Sequence, residues 1–303
     1  MAEWDAEVVV DEGLVHELLA EQFPELDASS ARLLGEGWDN SVWVVEERWA
    51  FRLPRRDIAI PGVQRELAVL PALAPLLPAP IPVPRFVGAP SDRFPWPFFG
   101  AELLSGVEPC DAGLSDDDRE ELSGELGRFL RVLHSEETLA RVDPRSELPD
   151  DPLRRADMPF RVTRTRERIA ELPPDVWRPP VRVAEVLAEA ERLPPRARRV
   201  LTHGDLHVRH LLVERGGVTG VIDWGDLCRS DPAIDLMLVW SLLPPAGRDR
   251  FAEAYGALDE EDVLRARVLA FFLGLTLAIY AHDVGHAALQ RECVAGLERT
   301  LVD

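Results

Sequence analysis

The stretch that most constrains how this chain folds is residues 201–226, where two short apolar runs flank a glycine-containing turn. The first run is Leu211–Val213, the second is Val218–Ile222, and the sequence Glu-Arg-Gly-Gly separates them. Two β-rich runs around a glycine-containing loop predict a β-hairpin. Because a hairpin brings its entrance beside its exit, the residues before the first strand are expected to lie next to those that follow the second.

Acidic and imidazole side chains stand at both ends of this predicted hairpin. His203, Asp205 and His210 precede the first strand, and Asp223 follows the second. A kinase site needs two carboxylates on adjacent loops, one to accept the proton of the attacking hydroxyl and one to hold the magnesium that bridges the nucleotide phosphates. We expect Asp205 in the first role and Asp223 in the second. A metallohydrolase that uses His203, Asp205 and His207 as metal ligands is the alternative interpretation.

These motifs resemble the catalytic and metal-binding segments of the aminoglycoside phosphotransferase family of small-molecule kinases. The resemblance is carried by His203-Gly-Asp205, by His210 and by Ile222-Asp223-Trp224. It is similar to the protein-kinase pattern in which H-x-D-x-x-x-x-N is followed by D-F-G. The resemblance implies an α+β fold of protein-kinase type, with an antiparallel sheet and one helix in the N-terminal lobe and a mainly helical C-terminal lobe.

One position departs from the common pattern of the family. His210 stands where most members have asparagine, but the macrolide 2′-phosphotransferases and the aminoglycoside 2″-phosphotransferases also carry histidine there. Together with the strand end at 51–56 and the Asp-Pro-Ala-Ile-Asp run at 231–235, this histidine makes the motifs most similar to the macrolide branch. The resemblance implies that His210 and Asp223 bind Mg²⁺ and that His203 braces the loop instead of acting as the base.

A second motif lies near the N-terminus, where a pattern of strand, glycine-rich turn and strand leads into Val42–Val45. A turn of this kind lets backbone N–H groups approach phosphates. The resemblance makes it the nucleotide loop, with Asn40 or Ser41 donating to a phosphate. Its predicted nucleotide-binding residues are Gly35, Gly37, Asn40 and Ser41.

The chain contains no lysine and only one asparagine, Asn40, so the usual kinase lysine has to be replaced. The resemblance aligns Arg52, on a predicted third strand, with the phosphate-binding lysine of the family. Glu66, on a predicted short helix, then falls where the family has a glutamate that pairs with this cation. Arginine can hold phosphate oxygens as a bidentate donor. Exposed surface positions are the alternative for both residues.

The boundary between the two lobes is predicted near Leu104, after a proline-dense stretch at residues 71–97. Residues 1–104 then form a nucleotide-binding lobe with a hinge, and residues 105–303 form a helical lobe with the catalytic loop and the substrate pocket. The resemblance implies that backbone groups near Leu104 bind the purine edge. Helices are predicted at 12–23, 63–70, 115–134, 181–193, 232–243, 247–255, 260–282 and 285–301.

Three further expectations concern the C-terminal lobe. Residues 143–180 are rich in proline and arginine and are predicted to be irregular. Asp226 is expected either to face the active site or to make a hydrogen bond within its loop. The segment Asp-Pro-Ala-Ile-Asp at 231–235 resembles a family motif in which the first aspartate braces the catalytic loop, which assigns that role to Asp231.

Composition excludes some functions. The formal net charge of −20 opposes nucleic-acid binding, which depends on neutralising phosphates with basic residues. It is compatible with a cationic small substrate, although acidity that serves only solubility is the alternative. The three scattered cysteines predict no disulfide framework, and the acidic N-terminus predicts no signal peptide. Val268–Ala281 is predicted to be a buried helix too short to cross a membrane, so we expect a cytoplasmic protein without a membrane partner.

The sequence therefore predicts a Mg²⁺-dependent kinase that transfers the γ-phosphoryl group of ATP or GTP to a hydroxyl of an antibiotic-like small molecule. A macrolide is favoured as the substrate and an aminoglycoside comes next. Two alternatives remain open, a nucleotide-binding relative without turnover and the metallohydrolase described above.

Overall fold

The computed structural model describes residues 6–37, 39–215 and 217–302. The chain divides into two compact units. The first, called the N-terminal unit below, contains Met1–Pro75 and Pro80–Leu104. The second, called the C-terminal unit, contains Leu76–Ala79 and Ser105–Asp303.

The N-terminal unit is built on a five-stranded antiparallel sheet with strand order β1-β2-β3-β5-β4. Its helices and strands are α1 (Glu12–Gln22), β1 (Arg32–Glu36), β2 (Asn40–Val45), β3 (Trp49–Pro54), α2 (Ile60–Leu73), β4 (Pro84–Gly88) and β5 (Phe98–Glu102). The family resemblance implied an antiparallel sheet with one helix, whereas the sequence pattern predicted helices at 12–23 and 63–70. The described residues of this unit form two α-helices, and α1 packs against the sheet.

Strand β3 shows how the sheet directs its side chains, since successive residues of a strand point to opposite faces. Phe51 is fully buried in an apolar cluster that includes residues of α1. Arg52 therefore points to the other face, where its register partner on β5 is Phe99. Phe99 packs against Val63 of α2. The alternation of the strand thus turns Arg52 toward α2.

The C-terminal unit is mainly helical, with two small antiparallel sheets formed by the pairs β6–β9 and β7–β8. Its first elements are α3 (Pro109–Ala112), α4 (Asp116–Leu133), α5 (Glu136–Val142), α6 (Met158–Glu171), α7 (Val181–Ala190), β6 (Val200–Thr202), β7 (Leu211–Glu214) and β8 (Gly217–Val221). They are followed by β9 (Cys228–Ser230), α8 (Ala233–Leu242), α9 (Pro245–Tyr255), α10 (Glu260–Asp283) and α11 (Ala287–Leu301).

Helix α10 is the central helix of this unit and packs against α6, α8 and α11. It has 24 residues, contains the apolar run at 268–281 and ends one residue beyond the helix predicted at 260–282. Within the described part of the chain it is the one helix long and apolar enough to cross a membrane, judged by length and composition alone. Half of its most apolar window is buried inside the protein, as in the core helices that pass the same test.

The prediction that residues 143–180 are irregular was wrong, because α6 lies within this range. Helix α6 begins after Asp157, whose side chain accepts a hydrogen bond from the backbone N–H of Phe160. Its buried residues include only two large apolar side chains, Met158 and Val162. So few apolar positions leave almost no helical periodicity to detect in the sequence.

Candidate active site

The hairpin predicted from residues 201–226 is confirmed. Strands β7 and β8 pair antiparallel with Leu211 opposite Val221. One residue beyond this pair, the backbone N–H of Ile222 donates to the carbonyl oxygen of His210 at 2.9 Å. The ladder therefore places His210, at the entrance of the hairpin, next to the residues at its exit. Gly216 of the turn lies outside the described residues.

His203 is fully buried and ties the loop before the hairpin to the segment after it. Its Nε2 donates to the carbonyl oxygen of Ile222 at 2.9 Å, and its Nδ1 accepts from the backbone N–H of Asp205 at 3.2 Å. Burial lowers the pKa of His203, which agrees with a neutral ring that donates from one nitrogen and accepts at the other. With both nitrogens engaged, His203 has no lone pair for a metal ion. This removes it from the metallohydrolase alternative.

The brace of this loop is Asp235, not Asp231 as the sequence predicted. The Asp235 carboxylate accepts from the backbone N–H of His203 at 2.8 Å and of Gly204 at 3.1 Å. Asp231 instead accepts from the backbone N–H of Ala233 at 2.9 Å, at the start of α8. The family motif was therefore placed correctly, but the second of its two aspartates holds the loop.

Asp235 is in turn held by a buried polar chain. One of its oxygens lies 3.1 Å from His134 Nε2, and His134 Nδ1 lies 2.8 Å from the Tyr255 hydroxyl. All three side chains are buried. Because buried polar groups are costly when unpaired, this chain fixes the orientation of Asp235 and so of the loop.

Gly204 lies where two backbone segments approach closely. Its φ is +88°, in the region that side-chain-bearing residues rarely adopt, and a Cβ placed on it would lie 2.1 Å from the carbonyl oxygen of Asp226. Only glycine satisfies both conditions.

The Asp205 side chain is surrounded by cationic and imidazole groups. Its Oδ1 accepts from Arg155 Nη2 at 3.0 Å, and its Oδ2 lies 3.5 Å from His207 Nε2. Burial by itself raises the pKa of Asp205, but Arg155, His207 and then His210 outweigh it and hold the pKa well below its usual range. Asp205 is therefore a carboxylate and can accept a hydrogen bond from a hydroxyl.

His210 and Asp223 form an arrangement that fits a divalent cation. His210 Nδ1 lies 2.8 Å from the carbonyl oxygen of Asp205 and must carry the proton, since a carbonyl only accepts. Burial lowers the pKa of His210, which favours the neutral ring, and a neutral ring has a lone pair on Nε2. This Nε2 lies 3.5 Å from Asp223 Oδ2. Imidazole nitrogen and carboxylate oxygen are both metal ligands, so a cation could bind to the two groups together.

Asp223 has an unusual backbone conformation, with φ of +63°. Left-handed residues other than glycine are uncommon, although aspartate and asparagine adopt this region more readily than other residues. It is the residue that carries the proposed metal-binding carboxylate, and such conformations are often found at functional sites.

His207 lies beside His210, with ring centroids 3.8 Å apart and the rings stacked. Asp205, His207 and His210 offer ligand atoms that all lie within 4.8 Å of one another, so among the described residues they form a group that could hold a metal ion. The group differs from the cluster proposed from the sequence, because His210 replaces His203.

Arg155 was not identified from the sequence. Its Nη2 bridges Asp205 Oδ1, at 3.0 Å, and Asp226 Oδ2, at 2.7 Å. Asp226 was expected either to face the active site or to make a hydrogen bond within its loop. The structure shows an ion pair between Asp226 and Arg155, directly beside Asp205. No local motif marks Arg155, and fifty residues separate it from Asp205, so only the tertiary structure reveals the contact.

In the N-terminal unit, the structure brings Arg52 and Glu66 together. Arg52 Nη1 donates to Glu66 Oε1 at 2.8 Å, and the Glu66 side chain is fully buried on α2. A buried carboxylate orients a guanidinium that is itself 15% exposed. The role of this pair in phosphate binding stays a prediction.

The residues of the predicted nucleotide loop are only partly in a turn. Gly35 lies in β1, and Ser41 lies in β2 with its hydroxyl accepting from Trp43 Nε1 at 3.2 Å. Ser41 is fully buried, which does not favour the proposed contact with a phosphate. A Cβ on Gly35 would meet nothing within 4 Å, and one on Gly37 would lie 3.6 Å from the Asn40 carbonyl oxygen. Packing within the unit therefore requires neither glycine.

Two arginines that follow β3 hold this loop. Arg55 Nη1 donates to the carbonyl oxygen of Gly37 at 3.0 Å, and Arg56 Nη1 donates to Asp39 Oδ1 at 2.8 Å. Trp38, between Gly37 and Asp39 in the sequence, lies outside the described residues. Leu104, predicted to lie at the purine site, is half-buried and is the last residue of the N-terminal unit.

The folds and the loop geometry define a protein of the kinase-like phosphotransferase class. Residues 30–271 match the model of the APH phosphotransferase enzyme family, and the chain belongs to this family. The family and the fold class predicted from the sequence are thereby confirmed.

Solved structures of similar fold agree with this result. The GDP and kanamycin complex of APH(2")-IIia has a TM-score of 0.69 and 22% identity, and the match covers 94% of this chain and 97% of that one. The macrolide 2′-phosphotransferase MphH from Brachybacterium faecium has a TM-score of 0.60 and 26% identity, covering 95% and 98%. The uncharacterized protein YcbJ from Bacillus subtilis (strain 168) is 39% identical over 56 residues, and the match spans only 18% of each chain.

Proposed function

We propose that this protein is a small-molecule kinase that transfers the γ-phosphoryl group of ATP or GTP to a hydroxyl of an antibiotic-like substrate. The observation that carries the proposal is the placement of Asp205 and Asp223 on either side of one imidazole. His210 lies 3.8 Å from the Asp205 carboxylate and 3.5 Å from the Asp223 carboxylate. An ionised acceptor next to a cation-binding pair is the arrangement that phosphoryl transfer needs.

In this proposal, Asp205 orients the attacking hydroxyl and accepts its proton. The surroundings of Asp205 keep it ionised, and the loop that carries it is fixed by His203 and Asp235. A rigid acceptor contributes to the rate because the hydroxyl is then held in the direction of attack.

Asp223 and His210 are the residues that would hold Mg²⁺ in this protein. A divalent ion bound to nucleotide phosphates neutralises the charge that develops on them. The neutral ring of His210 donates its Nδ1 proton to the backbone, which keeps Nε2 directed toward Asp223. A ligand held in this way does not have to reorganise when the ion binds.

The N-terminal unit is proposed to bind the nucleotide. Arg52, oriented by Glu66, would contact the phosphates, and the loop with Gly35, Gly37 and Asn40 would cover them. The Asn40 side-chain oxygen is buried without a hydrogen-bond partner among the described residues. The space beside Gly35 is compatible with a ligand that approaches the backbone closely.

Three observations support the proposed substrate class. Solved structures of similar fold include one with kanamycin bound and a macrolide 2′-phosphotransferase. Histidine at position 210 is also found in the macrolide 2′-phosphotransferases, which favours a macrolide as the substrate. The net charge of −20 suits a cationic substrate. The GDP in the first structure supports a nucleotide donor. All three cysteines are free, which supports the expected cytoplasmic location.

The proposal is tested by measuring nucleotide consumption with ATP and with GTP over a panel of macrolides and aminoglycosides. We expect acceptor-dependent formation of nucleoside diphosphate and a phosphorylated product detectable by mass spectrometry. Binding of nucleotide, measured by thermal shift, without turnover on any acceptor would instead favour the catalytically silent relative. Stabilisation by Zn²⁺ with no response to nucleotides would favour a hydrolase.

Arg52→Gln is expected to raise the dissociation constant for the nucleotide at least tenfold, since a charge-assisted hydrogen bond to a phosphate contributes about 1.5–3 kcal/mol. Isothermal titration with a nucleoside triphosphate and Mg²⁺ measures the change. Arg48→Gln is the matched control, because Arg48 directly precedes the same strand and its guanidinium lies over the Trp49 ring. Equal affinities for the two variants would exclude Arg52 from the phosphate site.

His210→Asn is expected to change which metal ion supports activity. Imidazole binds Mn²⁺ more readily than Mg²⁺, which prefers oxygen ligands. The ratio of turnover with Mn²⁺ to turnover with Mg²⁺ should therefore fall by about tenfold when an amide oxygen replaces the ring nitrogen. The measurement is a titration of each metal at saturating nucleotide. An unchanged ratio would show that His210 is not a metal ligand.

A further inference from the structure

Arg155 lies at the end of a segment that is firmly attached to β9. The backbone N–H of Asp151 donates to the carbonyl oxygen of Arg229 at 3.0 Å, and that of Arg229 donates to Pro149 at 2.9 Å. The Asp151 carboxylate accepts from the backbone N–H groups of Arg155 and Ala156, each at 2.8 Å. The bond from the Arg155 N–H and the bonds that attach its segment to β9 involve no atom of the Arg155 side chain. They therefore hold residue 155 in place when its side chain is changed.

Helix α6 secures the same segment from its other side. Arg161 is buried and its Nη2 donates to the carbonyl oxygens of Leu153 and Arg154, each at 3.4 Å. Its guanidinium lies over the Phe272 ring, 4.3 Å from the centroid. Arg161 thereby links the segment to helix α10. The segment that carries Arg155 is therefore attached both to β9 and to α6, which fixes the position of residue 155.

The guanidinium of Arg155 uses only part of its hydrogen-bonding capacity. Its Nη2 donates to both Asp205 and Asp226, which occupies the two protons of that nitrogen. An arginine has five N–H donors, so those of Nε and Nη1 remain. No residue in the described part of the chain accepts from them, and the side chain is 20% exposed. Three donors next to Asp205 are therefore available to an anionic ligand.

We propose that Arg155 is a further catalytic residue, which donates hydrogen bonds to the oxygens of the phosphoryl group during its transfer. This inference rests on the proposed function. If Asp205 holds the attacking hydroxyl, the group in transfer passes beside Asp205, and a guanidinium 3.0 Å from that carboxylate is within reach of it. The chain has no lysine that could supply this charge instead.

The step in which Arg155 takes part is a simple displacement. The hydroxyl oxygen forms a bond to the γ-phosphorus, and the bond from phosphorus to the bridging oxygen breaks with its electron pair passing to the nucleoside diphosphate. The hydroxyl proton goes to Asp205. Negative charge lies on the three equatorial oxygens in the transition state, where a fixed guanidinium stabilises it more than it stabilises the ground state.

The test compares Arg155→Gln and Arg155→Lys with the wild-type protein, and uses Arg154→Gln as the matched control. Arg154 is the preceding residue and is exposed, and within the described part of the chain its side chain contacts Asp157 and the Phe160 ring. We expect Arg155→Gln to lower kcat by about 100- to 1000-fold, the usual loss for one donor to a developing charge. The KM for the nucleotide should change by less than about threefold, because the contact forms mainly in the transition state. Arg155→Lys should recover part of kcat, and Arg154→Gln should equal wild type.

A second measurement separates a contact with the phosphoryl group from a purely structural role. Nucleoside diphosphate with aluminium fluoride and an acceptor imitates the transferring group, and we expect it to bind the wild-type protein more tightly than nucleoside diphosphate alone. Arg155→Gln should lose this additional affinity and keep the affinity for nucleoside diphosphate. A variant that retains both affinities, or whose kcat stays within about threefold of wild type or rises, would overturn the inference. Failure of the wild-type protein to turn over any acceptor would instead overturn the proposed function.

Discussion

Asp205→Asn is expected to lower kcat by about 100- to 10,000-fold, the range over which a positioned proton acceptor contributes to catalysis. Asparagine has nearly the same shape but cannot accept the hydroxyl proton. Nucleotide binding should be retained, because the phosphates are proposed to bind elsewhere, at Arg52 and at the His210–Asp223 pair. Steady-state kinetics and titration calorimetry measure the two quantities separately.

Asp226→Asn is the control for Asp205→Asn. It removes a carboxylate from the same guanidinium, since Arg155 bridges both acids, but Asp226 has no proposed contact with the hydroxyl. We expect a much smaller loss of kcat for Asp226→Asn than for Asp205→Asn. Near-normal turnover of Asp205→Asn, or equal losses for the two variants, would remove Asp205 from the role of proton acceptor.

Gly204→Ala is expected to lower the free energy of unfolding by about 2–4 kcal/mol and to abolish turnover. Alanine at a φ of +88° is strained, and its Cβ would lie 2.1 Å from the carbonyl oxygen of Asp226. Relief of this clash requires the 203–210 loop to move away from Asp226, which displaces Asp205. Chemical denaturation followed by tryptophan fluorescence measures the loss of stability.

Gly113→Ala separates the two causes of the expected loss of stability, which are backbone strain at a positive φ and the clash of the added Cβ. Gly113 also has a positive φ, +63°, but a Cβ on it meets nothing within 4 Å. Its substitution should therefore cost only the conformational strain, about 1 kcal/mol, and leave kcat unchanged. If both alanine variants lose the same stability, the close approach of Gly204 to Asp226 does not constrain the loop.

The sequence predicted those features of the fold that depend on neighbouring residues. Ser115 followed by three aspartates indicated a helix start, and the structure has a capping box between Ser115 and Asp118 at the start of α4. The hairpin was predicted for the same reason, because its two runs and its turn are contiguous. The pattern of apolar residues located α10, whose predicted range of 260–282 differs from the observed helix by one residue.

Features that depend on distant residues were misassigned or missed. The Asp-Pro-x-x-Asp motif was recognised, but which aspartate holds the 203–210 loop depends on how α8 packs, and the structure assigns this to Asp235. Arg155 approaches Asp205 only because its segment attaches to β9. The chain has 34 basic residues and 54 acidic ones, so charge alone gives no means of choosing the pair that forms.

The left-handed backbone at residue 223 limits how an inactive but intact form of this protein can be prepared. Alanine in that conformation would add strain of about 1–2 kcal/mol to any loss of function, whereas asparagine tolerates it nearly as well as aspartate. The backbone geometry therefore selects asparagine at this position for a folded variant, in which the contribution of the proposed metal ligand can be measured apart from any loss of stability.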